Sequence, residues 1–276
     1  MGFLEKTLRG ARAVLKDSVA GDRIARADGF LQRFDPRAKL AGTVILVVSA
    51  VVALDVRAIA GVWFLALALA ARSRVGVLRF LARTVPFVPL FTLVVALPAA
   101  FSFVTPGDAV ASFPFGPVTL SLTRQGIASA GTLALRALAA VSFASLMTLT
   151  TPATAILASL RALRVPAIFV MTAGMTLRYV YLLLECAERA FLAVKSRVGV
   201  VEKGADGRRT VGWGAGALWL SSYRLQGAVY DAMVSRGFAG EYVPLDRFRA
   251  RARDGALVAC SVLILAGVIW LNRYSR

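Results

Sequence analysis

Long apolar runs separated by short basic segments occupy most of this chain. Five of these runs predict transmembrane helices, at about residues 40–55, 57–71, 84–104, 126–149 and 255–272. Each has close to the roughly 20 residues that an α-helix needs to cross about 30 Å of hydrocarbon, although the second is somewhat short. The pattern therefore predicts an all-α integral membrane protein with about five transmembrane helices.

The charges between these runs predict their orientation. Four arginines and no acidic residue lie between residues 72 and 83, which indicates a cytoplasmic loop. Residues 104–123 carry one charge, Asp108, and indicate an external loop. The N terminus is then cytoplasmic, the basic segment 247–253 leads into the last span from the cytoplasm, and the C terminus is external. The two arginines of the terminal sequence NRYSR oppose this orientation, but more weakly.

The region between the fourth and the last span has a different pattern. It is helical by periodicity, but it is broken at Pro152, Pro166 and Gly199 and contains polar loops. We therefore expect a cytoplasmic module of amphipathic helices here. The predicted organisation is a basic amphipathic segment at 1–30, which suits either the membrane surface or the domain surface, a four-span membrane domain at 31–149, the module at 150–254 and the final span at 255–276.

A polar stripe runs along the first long helix of this module, within residues 167–198. Arg178, Glu185, Arg189 and Ser196 follow one another at intervals of seven, four and seven. Such a stripe is typical of a helix that lies flat on a membrane or packs against a partner. Glu185 and Arg189 also form an i,i+4 pair, which contributes only about 0.2–0.5 kcal/mol.

The apolar beginning of this helix permits a second interpretation. A sixth span at about 167–184 would reverse the last span and place residues 201–250, with all their arginines, outside the cell. That arrangement conflicts with the positive-inside bias. We therefore expect that this helix does not cross the membrane.

A second amphipathic helix is predicted at about 215–236. Leu218, Leu225, Val229 and Ala232 form an apolar seam with helical spacing, and the helix is too polar to span a membrane. The glycine-rich, charged segment 201–216 before it predicts a solvated loop.

Composition and charge exclude several classes of function. Charged residues make up 17% of the chain, whereas a soluble domain carries about a quarter. The net charge of +18 comes from short clusters between apolar runs, so we expect no nucleic-acid partner. The chain contains no histidine and two cysteines, which excludes imidazole metal sites and histidine-dependent triads. We predict no catalytic residue and no metal site.

One charged residue lies inside a predicted span. Arg136 is near the middle of the fourth span, where insertion measurements give an arginine a cost of about 2.5–3.5 kcal/mol. We expect it to face the interior of the bundle with a partner. That partner is either structural, as an ion pair or a capped carbonyl, or belongs to the coupling with another subunit.

Two helix ends in the cytoplasmic module are alike. They read KSRVG at 195–199 and VSRGF at 234–238. Glycine just after the last turn and a cation near it are ordinary capping features. An arginine between small residues at a helix tip is also suited to bidentate binding of a partner's carboxylates.

These features resemble the T component of energy-coupling-factor (ECF) transporters, the CbiQ/EcfT family. FDPRAKL at 34–40 resembles the segment that leads into the family's first span. Residues 149–166 and 177–197 resemble its first two coupling helices, and YDAMVSRGF at 230–238 resembles the end of the third. The resemblance covers most of residues 30–272.

The resemblance implies which residues dock on partners. The family's coupling helices end in short motifs that dock in grooves of a pair of ABC-type ATPases. By similarity, these motifs are Ser196-Arg197-Val198 and Ser235-Arg236-Gly237. Val198 stands where a small residue is more common in the family, so we expect the first contact to be less tight than the second.

The implied function is mechanical. Two ATPase subunits would bind ATP and Mg²⁺, and this chain would transmit their motion to a separate substrate-binding membrane subunit. The chain itself would then hold no cofactor and catalyse no reaction, as a multi-pass, lipid-embedded protein of a bacterial cytoplasmic (inner) membrane. Cobalt or nickel is the preferred cargo, and a vitamin is the alternative. A self-sufficient secondary transporter is the competing class, for which mid-membrane carboxylates and repeated halves would be expected.

Overall fold

The computed structural model describes residue 10 and residues 25–86, 109–115, 118–198, 205–240 and 251–274. The chain divides into two compact units, of which one comprises residues 22–156 and 248–276 and the other residues 1–21 and 157–247. The predicted N-terminal amphipathic helix and most of the predicted third span lie outside the described residues.

The described residues are helical apart from turns and one hairpin. The helices are α1 (Pro36–Val52), α2 (Val56–Arg72), α3 (Val77–Thr84), α4 (Arg124–Thr150), α5 (Ala153–Leu160), α6 (Ala167–Val198), α7 (Ala205–Ser235) and α8 (Ala252–Tyr274). The two strands are β1 (Ala109–Phe115) and β2 (Val118–Thr123), and single 3₁₀ turns occupy Leu31–Arg33 and Arg161–Leu163.

Most of the predicted helices are present. The first, second, fourth and fifth predicted spans coincide with α1, α2, α4 and α8. Among the described helices, α4, α6 and α8 are long and apolar enough to cross a membrane. The breaks predicted at Pro152 and Pro166 are also found, because α5 begins after the first proline and α6 begins after the second.

Within the predicted external loop 104–123, β1 and β2 pair as an antiparallel hairpin, a detail that was not predicted from the sequence. One prediction about a loop is wrong. Residues 205–216 are not a solvated loop, because α7 begins at Ala205 rather than near residue 215. Glycine lowers helix propensity by about 1 kcal/mol per residue but does not forbid a helix.

Helix α1 lies at the centre of the first unit, where it packs against α8, α4 and α2. Leu46 and Ala50 of α1 form one core cluster with Ile59 of α2, Phe143 of α4 and Val268 of α8. Each of these helices therefore contributes an apolar face to one core.

A glycine permits the closest approach in this bundle. A Cβ atom on Gly42 of α1 would lie 2.6 Å from Leu257 Cδ2 and 3.1 Å from Ser261 Oγ, both on α8. Small residues at helix contacts let two backbones approach closely, which is a common way of packing helices in membranes. Gly42 is therefore required by the contact between α1 and α8.

Hydrogen bonds at both ends show that α1 and α8 run parallel. At the N-terminal end, the buried Asp254 Oδ1 accepts from the backbone N–H of Asp35 (2.9 Å). At the other end, Asn272 Nδ2 donates to the carbonyl of Val52 (2.8 Å), and its Oδ1 accepts from the N–H of Leu54 (3.0 Å). The beginnings of α1 and α8 therefore lie at the same end of the bundle.

The end of α4 lies there as well. The buried Lys39, near the start of α1, donates from Nζ to the carbonyl of Thr150, the last residue of α4 (3.0 Å). The chain consequently leaves the bundle after Thr150 and returns at Ala252 at one and the same end.

Candidate functional site

The two long helices of the second unit, α6 and α7, contact each other through the first half of α6 and the second half of α7. Met175 and Tyr179 in the first half of α6, and Leu225 and Val229 in the second half of α7, line one apolar cavity of about 430 Å³. These residues are half-buried. The packing centre therefore lies near residue 177 of α6 and near residue 228 of α7.

The seam predicted for α7 is largely correct. Leu218, Leu225 and Val229 are half-buried as expected. Ala232 is exposed, and Met233 takes its place in the apolar cavity. After Val229 the seam thus continues four residues later, at Met233, and not three residues later, at Ala232, as the sequence suggested.

The short connection between α6 and α7 determines their relative direction. From the packing centre to Val198 and to Ala205, the helices extend about 31 Å and 34 Å at 1.5 Å per residue. The six residues 199–204 between them can bridge at most about 25 Å. Only a roughly antiparallel pair satisfies this limit. Arg197 and Arg236 then lie on opposite sides of the packing centre, about 40 Å apart by the same helical rise.

The second helix tip ends in a complete Schellman motif. The N–H of Gly237 donates to the carbonyl of Val234 (2.9 Å), and the N–H of Phe238 donates to the carbonyl of Met233 (3.0 Å). Gly237 has φ +82°, in the left-handed region that favours glycine. The expected capping role of this glycine is therefore confirmed.

The cap places Arg236 at the exposed end of α7. Arg236 lies between the last helical residue and the left-handed glycine, and its side chain is exposed. Ser235 turns its hydroxyl back to the carbonyl of Ala232 (3.0 Å). The small neighbours leave the guanidinium open to a partner from several directions.

The first helix tip is similar in outline. Helix α6 ends at Val198, and both Ser196 and Arg197 are exposed. The hydroxyl of Ser196 donates to the carbonyl of Ala193 (2.9 Å), as Ser235 does at the other tip. Gly199 lies outside the described residues.

The polar stripe on α6 is exposed along its length. Arg178, Glu185 and Arg189 are all exposed, and Arg189 Nη2 lies 2.6 Å from Glu185 Oε1 as predicted. Both side chains of this pair are more than half exposed, so solvent screens it and its contribution to stability is small. The stripe provides a charged surface rather than a stabilising network.

Arg136 is a structural contact in the first unit. Its Nε donates to the carbonyl of Ala53, the residue that caps the C terminus of α1 (3.0 Å). A cation at this position also interacts favourably with the helix dipole. Arg136 lies near the middle of α4 along the sequence, but in the bundle it lies beside the C-terminal end of α1. This hydrogen bond agrees with the capped-carbonyl alternative, and a role of Arg136 in coupling stays a prediction.

Sequence reasoning missed three polar residues of the bundle. Lys39, Asp254 and Asn272 are each buried and bind backbone groups of a neighbouring helix or of its flanking turn. Their only signal is a polar residue at the edge of an apolar run. Among the described residues, no cluster of three or more cysteine, aspartate or glutamate side chains could hold a metal ion.

Comparisons with known proteins add independent information to this geometry. The profile of a family described as "CbiQ: Cobalt transport protein" matches residues 28–245, which include both helix tips. An uncharacterized protein of Methanocaldococcus jannaschii is 30% identical to this chain over 275 residues, which are 98% of this chain and 92% of that protein.

Proposed function

This chain belongs to the CbiQ cobalt transport protein family, and from that membership and its two helix tips we propose that it is the transmembrane coupling subunit of an ATP-driven ECF-type importer. The observation that carries the proposal is a pair of exposed arginines, Arg197 and Arg236, at opposite ends of an antiparallel helix pair. Each tip offers a guanidinium to a separate partner surface.

The separation of the tips favours two partner subunits. At about 40 Å apart by helical rise, the two arginines would contact well-separated surfaces. A pair of ABC-type ATPases would offer one groove to each tip. Arginine is suited to such a groove because its guanidinium binds carboxylates in a bidentate manner. ATP and Mg²⁺ would be bound by these ATPases and not by this chain.

The topology of the bundle supports a cytoplasmic position for the helix tips. Because Thr150 and Ala252 lie at the same end of the bundle, the residues between them cross the membrane either not at all or an even number of times. A single sixth span at 167–184 is incompatible with that arrangement. A double crossing by α6 and α7 would bury Arg178, Arg224 and other charged residues in lipid, which is costly.

The proposed cargo is a divalent cobalt or nickel ion. The family description names cobalt transport, and nickel shares its charge and ligand preferences. The ion would be bound by a separate membrane subunit, which ATPase motions would rock through α6 and α7. A vitamin-binding subunit is the alternative partner within the same mechanism.

Co-purification tests the proposal. The full chain would be co-expressed with candidate ATPase subunits of its source and purified from detergent-solubilised membranes. We expect wild type to retain an ATPase pair and the double variant Arg197→Glu, Arg236→Glu to lose it. The control variant Arg224→Glu reverses an exposed charge of α7 that lies away from both tips and outside the polar stripe, and it should retain the pair. Loss of the ATPases in the control as well would contradict a role specific to the tips.

A further inference from the structure

Two cavities of opposite character adjoin in the first unit. One has a volume of about 450 Å³ and is lined almost entirely by apolar side chains of α1, α2, α4 and α8. The other has a volume of about 280 Å³ and is lined mainly by charged residues. Phe30, Phe34 and Arg253 line both cavities, so the two share a wall.

The smaller cavity is strongly basic. It is lined by four arginines, Arg33, Arg72, Arg74 and Arg253, and by one acidic residue, Asp28. The structure describes no salt bridge from any of these guanidiniums to a described carboxylate. All four arginines are exposed, so solvent screens much of their mutual repulsion, and an anion bound among them would gain favourable charge pairs.

The walls of the basic cavity are held together before any ligand binds. Gln32 Nε2 donates to the carbonyl of Ser73 (3.1 Å), and the guanidinium of Arg72 lies 5.8 Å from the centre of the Phe30 ring. Arg74 adopts φ +54°, a left-handed conformation that costs an L-residue other than glycine about 1–2 kcal/mol. Strain of this kind is concentrated at functional positions.

The larger cavity suits one acyl chain. A methylene group is about as large as a water molecule, whose share of liquid volume is about 30 Å³. A volume of 450 Å³ therefore accommodates on the order of 15 carbons by that measure. Leu46, Leu65 and Ile264 are among the side chains that line it.

We propose that the two cavities together bind one anionic phospholipid of the surrounding membrane. The headgroup phosphate binds the arginines, and one acyl chain enters the apolar cavity. Basic pockets between transmembrane helices are suited to anionic headgroups, and arginine binds phosphate in a bidentate manner. A free phosphate would leave the apolar cavity empty, and a neutral lipid would leave the arginines without a counter-charge.

Lipid affinity measured on the full chain tests this proposal. Because no partner subunit is present, the outcome of this test does not depend on the proposed function. Delipidated protein in mild detergent would be titrated with palmitoyl-oleoyl phosphatidylglycerol and with phosphatidylcholine of the same acyl chains. We expect the dissociation constant for phosphatidylglycerol to be at least tenfold lower. The variant Arg72→Gln, Arg74→Gln should abolish that preference, whereas Arg57→Gln, Arg79→Gln, which removes two exposed arginines outside both cavities, should keep it.

Cys260, an exposed residue that contributes to the wall of the apolar cavity, provides a second readout. Its side chain lines that cavity, whereas Cys186 lies in the other unit. We expect phosphatidylglycerol to slow the reaction of Cys260 with N-ethylmaleimide at least fivefold and to leave Cys186 unchanged. Glycerol 3-phosphate, the soluble headgroup analogue, should not protect Cys260. Equal affinity for both lipids, an unprotected Cys260, or glycerol 3-phosphate binding as tightly as the lipid would each overturn the proposal.

Discussion

Lys39 and Arg136 each bind the C-terminal carbonyl of the other residue's helix. Lys39 of α1 donates to Thr150 at the end of α4, and Arg136 of α4 donates to Ala53 at the end of α1, both at 3.0 Å. On each helix the two contacts are separated by fourteen residues, or about 21 Å. The register of this antiparallel pair is thus fixed at both ends by cations, which also interact favourably with the helix dipoles.

The reciprocal contact predicts that removing either cation destabilises the bundle. Arg136→Met and Lys39→Met would each leave a carbonyl without its donor, at a cost of about 1–3 kcal/mol. Because the sites are about 21 Å apart, the two losses should add to within about 0.5 kcal/mol. Denaturation of the detergent-solubilised chain measures both effects, with the exposed Arg57→Met as the control.

An Arg136→Met variant with unchanged stability would contradict this account. Arg136 would then have to act in contact with another subunit. Stability measured on the isolated chain distinguishes the two roles, because no partner is present.

The close contact of α1 with α8 predicts different effects for two glycine substitutions. Gly42→Ala should destabilise the chain, because its Cβ would lie within 2.6 Å of Leu257. Gly61→Ala in α2 is the matched control, since its Cβ meets nothing within 4 Å. The control should be neutral or stabilising by about 0.5–1 kcal/mol. Thermal denaturation of both variants in the same detergent checks the difference, and equal behaviour would argue against close packing at Gly42.

The C-terminal cap of α7 predicts that replacing Gly237 weakens docking on the ATPase subunits. Gly237→Ala would place a Cβ in the left-handed region, at a cost of about 1–2 kcal/mol, and would loosen the turn that presents Arg236. The affinity for the ATPase subunits should fall several-fold, although the arginine itself is unchanged. Gly227→Ala, inside α7 with open space around it, is the control and should leave the affinity unchanged. A Gly237→Ala variant with wild-type affinity would show that the cap does not position Arg236.

The arrangement of the bundle ends predicts the topology of the chain. In a background without native cysteines, Thr154→Cys, Ser196→Cys and Ala252→Cys should react with an impermeant maleimide from the cytoplasmic side. Leu54→Cys should react from the opposite side and serves as the control. External labelling of Ser196→Cys alone would instead indicate that α6 and α7 both cross the membrane.

Features that depend on local periodicity could be predicted from the sequence. The apolar runs gave α1, α2, α4 and α8 because a membrane helix needs a continuous apolar segment. Helix α6 begins directly after Pro166, because proline lacks the N–H that a helix interior requires and is tolerated only near a helix start. The polar stripe from Arg178 to Ser196 followed from helical spacing alone.

Features that depend on contacts between distant segments could not be predicted from the sequence. Lys39 binds a carbonyl 111 residues away, and Asn272 binds one 220 residues away. No pattern in one sequence specifies which helices are neighbours or in which register they pack. The hairpin had a local signal, since VTLSLT at 118–123 alternates apolar and polar residues as strands do. It was missed because the stretch was interpreted only as a loop between spans.

Uptake of radioactive cobalt into proteoliposomes tests the central claim most directly. The vesicles would contain the full chain, its ATPase pair and the substrate-binding subunit, with or without ATP. We expect uptake that requires ATP, and at least tenfold less uptake with the variant Arg197→Glu, Arg236→Glu. ATP hydrolysis by the isolated ATPase pair is the control that the ATPases themselves are active. Uptake of a solute by the chain alone, without ATPases and without ATP, would contradict the coupling role and identify a secondary transporter.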